Sequence, residues 1–254
     1  MPRPVAIGAL PRLALAVVTA AVALGALPAR AELIVLQSSV PAIKVGQTLA
    51  DSLAIEIPAG SSAVFVLPNG ATRTVAGPFK GTVGDLTKGV AVDRELLGAV
   101  KTYVETGGAS AGRVGATRSA RPAPAAPAGF AGWTSVPITA NGDHCIEAGK
   151  KPTLVRTYAG APLTVTIANL ATSERGRVAF AEGEKSVPWP TEVTLTHGAT
   201  YGLAAADLPM RKLQLRLVKP LPAADDTLRV LHGQRCIVQM RAWLDGLIRQ
   251  QASR

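Results

Sequence analysis

The two cysteines are the residues whose type and number define a chemistry most clearly. Cys145 and Cys236 are the only thiols of the chain, and they lack the Cys-x-x-Cys spacing of a redox pair. An even number of cysteines favours a disulfide in an exported protein, and the N-terminus described below indicates export. We therefore predict a structural Cys145–Cys236 bond. In the chain-entropy model a loop of this length contributes roughly 4–5 kcal/mol to stability, before native strain is subtracted.

The histidines and acids form no recognisable metal or catalytic motif. His144 is adjacent to Cys145, but zinc sites normally use three or four ligands at regular local spacings. Asp143, His144 and Cys145 are consecutive, and neighbours in a turn rarely converge on one point. A disulfide-bonded Cys145 could not act as a nucleophile. We predict no catalytic residue, no metal site and no cofactor. Enzymatic activity stays open, because a glycan-active pair of carboxylates leaves no spacing signal.

Trp189 is the candidate binding residue, because it lies in the sequence Val-Pro-Trp-Pro at 187–190. Prolines on both sides fix an extended backbone, which can present the indole at a surface. An exposed tryptophan could stack on a sugar or anchor a partner. The alternative is a tryptophan that fills one end of a β core.

The elements of the first half follow a β pattern. Residues 33–36 are a continuous apolar run, and two further strand candidates cover 53–57 and 63–67. An Asn-Gly pair at 69–70 then predicts a hairpin, because both turn positions tolerate positive φ. Asp93 predicts the N-cap of a helix whose apolar face runs through residues 96–104.

The second half begins after a stretch dominated by Gly, Ala, Pro, Ser and Arg. This stretch, 107–132, buries too little apolar area to offset the entropy of ordering it, which predicts a flexible linker. Period-two alternation then predicts strands at 163–167 and 213–217, with shorter candidates at 193–195 and near 201–203. The last element is a helix after Cys236, with an apolar stripe at positions 237, 240, 243, 244, 247 and 248.

These patterns predict a mainly β fold made of two small domains. The first, residues 32–106, is a β-sheet module with a trailing helix. The second, residues 133–254, is a β-sandwich-like domain with a C-terminal helix, and the linker 107–132 joins the two.

The N-terminus predicts export through a cleavable signal peptide, residues 1–31. Arg3 and Arg12 precede an apolar run at 13–27, and Ala29-Arg30-Ala31 supplies the small residues of a cleavage site. An apolar helix of this length spans about 22 Å, less than a hydrocarbon core of roughly 30 Å. We therefore expect a periplasmic protein whose mature chain has no transmembrane segment.

The net positive charge and the composition of the mature chain indicate which kinds of partner it could bind. Removing the predicted signal peptide leaves 24 of the 27 basic residues against 17 acidic ones, a net charge of about +7. The basic residues are dispersed and aromatics make up only 4% of the chain, which argues against nucleic acid. The expected partners are an envelope protein or an anionic envelope polymer, and the alternative is a solvated surface without a dedicated partner.

Residues 45–78 resemble the FecR-type periplasmic β domain. The resemblance rests on Gly-Gln-Thr-Leu at 46–49, Ile-Glu-Ile-Pro-Ala-Gly at 55–60, the strand at 64–67, and the turns at 69–70 and 77–78. FecR-type proteins signal from outer-membrane receptors to cytoplasmic factors, through a membrane span and a cytoplasmic segment that we do not expect here. The resemblance therefore implies a β scaffold module. The rest is similar to uncharacterised exported proteins of Gram-negative bacteria.

The function predicted from sequence is that of an exported, non-catalytic binding or scaffold protein of the bacterial cell envelope. Two alternatives stay open: an envelope enzyme that acts on glycan, and an accessory subunit of a receptor or secretion complex. The ligand and the oligomeric state are not defined by any motif.

Overall fold

The fold is mainly β, as the sequence predicts, in a computed structural model of the chain. The structure describes residues 32–106, 130–157, 160–206 and 208–252. The predicted signal peptide, and the predicted linker up to residue 129, lie outside these ranges. Within them, no helix is long and apolar enough to cross a membrane.

The first half contains a four-stranded antiparallel sheet and a two-stranded one. The larger sheet has the order β2-β1-β4-β5, with β1 at Glu32–Ser38, β2 at Thr48–Ala50, β4 at Ser62–Val66 and β5 at Thr72–Ala76. The smaller sheet pairs β3 at Ala54–Ile57 with β6 at Phe79–Thr82. A short helix, α1 at Val83–Thr87, follows β6 and begins with a capping box between Thr82 and Asp85.

The predicted hairpin between β4 and β5 is confirmed. The Asn69 side chain accepts a hydrogen bond from the backbone N–H of Ala71 at 3.0 Å, and Gly70 has φ +80°. A Cβ on Gly70 would lie 1.8 Å from Cδ2 of Leu96. Glycine is therefore required for the turn and for the close approach of the next helix.

That helix, α2 at Arg94–Glu105, begins where the sequence predicts. The Asp93 carboxylate accepts from the N–H of Leu96 at 3.0 Å, which satisfies one of the free donors of the first turn. Leu96 and Val100 on the predicted apolar face are fully buried.

The second half is a sandwich of two sheets around one apolar core. A five-stranded sheet has the order β11-β10-β13-β14-β8, and a three-stranded sheet has the order β12-β9-β7. The eight strands are β7 at Ser135–Pro137, β8 at Gly142–Glu147, β9 at Thr153–Val155, β10 at Leu163–Asn169, β11 at Arg175–Phe180, β12 at Ser186–Pro188, β13 at Thr200–Ala205 and β14 at Leu208–Val218. The inward side chains of both sheets form the core, among them Leu154, Ile167 and Leu215.

Two helices complete the chain and connect its halves. After a single 3-10 turn at Ala224–Asp226, α3 covers Thr227–Gly233 and α4 covers Ile237–Ala252. Met240 and Leu244 of α4 share a buried cluster with Ile34 and Leu36 of β1 and with Cys145 of β8. The predicted arrangement of two separate domains is therefore not confirmed, because one core includes side chains from both halves.

Strand β1 is buried on both faces, which explains its continuous apolar run. Leu33 and Val35 contribute to the core of the first half. Ile34 and Leu36 point to the opposite face and contribute to the shared core with α4. A strand packed between two apolar layers is buried on both faces, so its sequence does not alternate between apolar and polar residues.

Candidate functional site

The predicted disulfide is confirmed. Cys145 of β8 and Cys236, which precedes α4, have an S–S distance of 2.01 Å and a Cα–Cα distance of 5.8 Å, and both are fully buried. Gln239 of α4 reinforces the junction, since its side chain accepts from the N–H of Cys145 at 2.6 Å and donates to the C=O of Cys145 at 2.8 Å. These two bonds pair the backbone of Cys145 on the edge strand β8, and together with the buried disulfide they fix α4 to β8, which is a structural role.

Trp189, the predicted binding residue, lies in the core of the sandwich. Its side chain is only 3% exposed. The indole N–H donates to the C=O of Val193 at 2.9 Å, and the ring makes an edge-on contact with Tyr201 at 5.4 Å. This is the arrangement of the alternative interpretation, a tryptophan that fills the β core. A buried indole offers no surface to a sugar, so we do not include Trp189 in the candidate site.

The strand predicted at 193–195 is wrong, and the core aromatics give the reason. The hydroxyl of Tyr201 donates to the C=O of Thr194 at 2.7 Å and accepts from the N–H of Thr196 at 2.8 Å, and Trp189 uses the C=O of Val193. Side chains therefore use the backbone groups that a neighbouring strand would pair. Burial raises the pKa of Tyr201, which keeps its hydroxyl protonated as a donor.

The acids and histidines of the described residues do not assemble a reactive centre. No group of three or more His, Cys, Asp or Glu side chains with metal-binding geometry occurs among them. Asp143 pairs with Arg216 at 2.6 Å on one face of the sheet, whereas His144 turns to the other face and contacts the C=O of Ser135 at 2.8 Å. Asp143, His144 and Cys145 therefore engage three different partners.

One nucleophile pattern occurs in the sequence but lacks the required context. Residues 108–112 read Gly-Ala-Ser-Ala-Gly, the Gly-x-Ser-x-Gly spacing of a hydrolase nucleophile elbow. The elbow requires a strand before the serine, whereas the element that precedes this segment is helix α2. The segment lies outside the described residues, and we assign it no catalytic role.

His144 predicts a pH dependence of stability. Burial lowers the pKa of its imidazole, and the smaller effect of the contact with Ser135 opposes this. In the unfolded chain a histidine titrates near pH 6.5. Below that pH the unfolded state binds more protons than the folded state, so stability falls as the pH falls, by at most about 1.4 kcal/mol per pH unit. Urea unfolding between about pH 7.5 and 5 is expected to show this slope, and His144→Gln is expected to reduce it. An unchanged slope in the variant would assign the effect to another group.

An uncovered surface of the second half is the best candidate site. Along β10, β13 and β14, alternate side chains such as Val165, Leu203 and Leu213 fill the core, so their neighbours point outward. The charged residues at exposed outward positions of β11 and β14 are Arg175, Arg177 and Lys212. We call the outer surface around these three cations the basic face.

The strand register places the cations on either side of a floor of small residues. Arg175 lies opposite Ala168, Ala168 opposite Gly202, and Gly202 opposite Lys212. At about 4.8 Å per strand, roughly 14 Å separates Arg175 from Lys212 along this row. Arg177, two residues beyond Arg175, lies opposite Thr166.

The three cations form no ion pair within the part of the chain that the structure describes. Among the described residues, the ion pairs are Lys80–Glu56, Arg216–Asp143 and Arg229–Asp226, and none includes a cation of the basic face. The nearby Asp143 is already neutralised by Arg216. An anion at this surface would therefore meet three positive side chains without displacing any acid of the described ranges.

Two large apolar side chains lie between the cations. Leu170 is 48% exposed and Met210 is 58% exposed. A Cβ at Gly202 would lie 3.2 Å from Cδ2 of Leu170 and 4.0 Å from Sδ of Met210, so both side chains cover the outer side of Gly202. The basic face thus has an apolar centre over Gly202, in the row that joins Arg175 to Lys212.

Sequence reasoning did not find this surface, because its residues come from separate strands. The only local signal is Arg-Gly-Arg at 175–177, a period-two pattern that puts both arginines on one face of a strand. Lys212 joins them only through the strand order β11-β10-β13-β14. Comparison with protein-family models, with curated proteins and with solved structures gives no match.

Proposed function

We propose that this protein is an exported, non-catalytic binding protein of the bacterial cell envelope, and that the basic face binds an anionic partner. One observation carries the proposal: Arg175, Arg177 and Lys212 are exposed on one sheet face, and none of them forms an ion pair with another described residue. The predicted signal peptide supports the cellular location, and the buried disulfide is typical of an oxidising compartment.

The shape of the basic face favours binding over catalysis. Catalysis requires groups held around a substrate in a site that excludes water. The basic face is an open sheet surface with Leu170 and Met210 over its centre, and the charged side chains that define it are all cations. Such a surface attracts anions at long range, with an affinity that falls as ionic strength rises.

We further propose a scaffold role for the first half, as the FecR-type resemblance implies. Its support is the run of short antiparallel strands β1–β6 and the turn at Asn69-Gly70. In this proposal the first half carries no chemistry, and the partner binds through the second half.

A charge-reversal experiment tests the binding proposal. The Arg175→Glu/Arg177→Glu variant is expected to weaken binding to anionic probes by at least about tenfold at low salt, because two positive side chains become negative at one surface. The probes are polygalacturonate, an acidic polysaccharide, and vesicles that contain phosphatidylglycerol. Circular dichroism checks that the variant is folded.

The matched control is Lys150→Glu/Lys151→Glu, which changes the net charge equally at another exposed position. It is expected to leave binding within about threefold of the wild type, apart from the effect of net charge. Equal losses in the two variants would show a non-specific charge effect. A wild-type protein that binds neither probe would disprove the proposed function.

A further inference from the structure

We infer that the partner of the basic face is the surface of an anionic lipid membrane, an inference that rests on the proposed function and specifies its ligand. The distinguishing observation is the apolar centre formed by Leu170 and Met210. A surface with cations alone could bind any polyanion. Exposed apolar side chains beside the cations favour a ligand that carries both phosphate and hydrocarbon.

The apolar centre lies on the outer side of the sheet, away from the core of the sandwich. Leu170 and Met210 lie over Gly202, opposite the side where Tyr201 and Leu203 fill the core. Each keeps about half of its surface in water, at 48% and 58% exposure. Contact with water at these side chains is unfavourable, and an apolar partner would remove it.

The geometry of the face matches the layers of a membrane surface. The long side chains of Arg175, Arg177 and Lys212 can reach the level of the lipid phosphates. Leu170 and Met210, which lie between them, can enter the boundary between head groups and acyl chains. A soluble acidic polysaccharide offers carboxylates to the cations but no hydrocarbon to the two apolar side chains.

Two acidic groups lie near the face, and of these only Glu174 has no ion pair among the described residues, so the three cations outnumber it. Asp143 is bound to Arg216 at 2.6 Å, and the Glu174 carboxylate accepts from the hydroxyl and N–H of Thr194 at 3.0 and 3.2 Å. The membrane would therefore approach a surface of net positive charge.

The test separates the apolar contribution from the charge. Wild-type protein is expected to sediment with vesicles of phosphatidylglycerol and phosphatidylcholine, and not with vesicles of phosphatidylcholine alone. The Leu170→Ser/Met210→Ser variant is expected to weaken vesicle binding by about tenfold, and to leave binding to polygalacturonate unchanged. Leu53→Ser/Val238→Ser is the control, since these exposed apolar side chains lie outside the basic face.

The outcomes distinguish this inference from the proposed function. Vesicle binding that is unaffected by Leu170→Ser/Met210→Ser would overturn the membrane inference. Binding to polygalacturonate without binding to vesicles would also overturn it, and the partner would then be a polymer as the proposed function allows. Binding to neither probe would overturn both. An equal loss in the Leu53→Ser/Val238→Ser control would show that the apolar centre is not specific.

Discussion

Replacement of Trp189 by alanine is expected to lower the free energy of unfolding by about 3–5 kcal/mol. The indole is 3% exposed and packs edge-on against Tyr201, so its removal leaves a cavity inside the sandwich. The C=O of Val193 would also lose the N–H that it accepts at 2.9 Å. Urea unfolding followed by circular dichroism measures the loss.

Trp189→Phe is the control that separates packing from hydrogen bonding. Phenylalanine keeps a large apolar ring but has no donor for Val193, so we expect a loss of about 1–3 kcal/mol, smaller than for alanine. Both variants are expected to bind anionic vesicles as the wild type does once folded, because Trp189 lies outside the basic face. A stable Trp189→Ala protein that no longer binds an envelope partner would instead restore Trp189 as a binding residue.

Much of the fold was predictable because local signals decide it. Period-two alternation identified β10 and β14, Asn69-Gly70 identified a hairpin, and Asp93 identified the start of α2. Each of these depends on the backbone preferences of a few consecutive residues. The cysteine pair was equally clear, because only one pairing of two cysteines exists.

Competition between side chains for hydrogen-bonding partners explains where predictions from the local sequence failed. The strand expected at 193–195 is a loop because Trp189 and Tyr201 take its backbone groups. At the start of α3, Asp226 occupies the N-cap position but makes no side-chain bond to the helix N-terminus. Asp226 pairs instead with Arg229 at 2.8 Å. Neither choice is visible in sequence, because in both cases a polar group has two possible partners.

Long-range packing explains why neither the core shared by the two halves nor the candidate site could be predicted from the sequence. The composition of 107–132 suggested separate domains, but it carries no information about which apolar faces meet. Ile34 and Met240 lie at opposite ends of the described chain and share one core. The basic face likewise depends on the strand order, which places β11 with Arg175 and β14 with Lys212 in one sheet, with two strands between them. Sequence spacing cannot supply that order.

Removal of the disulfide is expected to lower the free energy of unfolding by about 2–5 kcal/mol. Cys145 and Cys236 are separated by 91 residues, so the bond restricts a large loop of the unfolded chain. The double variant Cys145→Ala/Cys236→Ala, compared with the oxidised wild type in urea, measures the effect. Reduction of the wild type under native conditions is expected to be slow, because both sulfur atoms are buried.

The same variant tests whether the two halves unfold as one unit. Helix α4 contributes Met240 and Leu244 to the core that it shares with β1 and β8, and the disulfide anchors its first turn to β8. Release of that anchor weakens the contacts of α4 with both halves, so amide hydrogen exchange is expected to accelerate in β1 and in β8 together. If amide protection falls equally in β1 and β8, the shared core unfolds as one cooperative unit. If protection falls in β8 while β1 and β4 keep theirs, the halves unfold independently, and the separation predicted from residues 107–132 holds in solution.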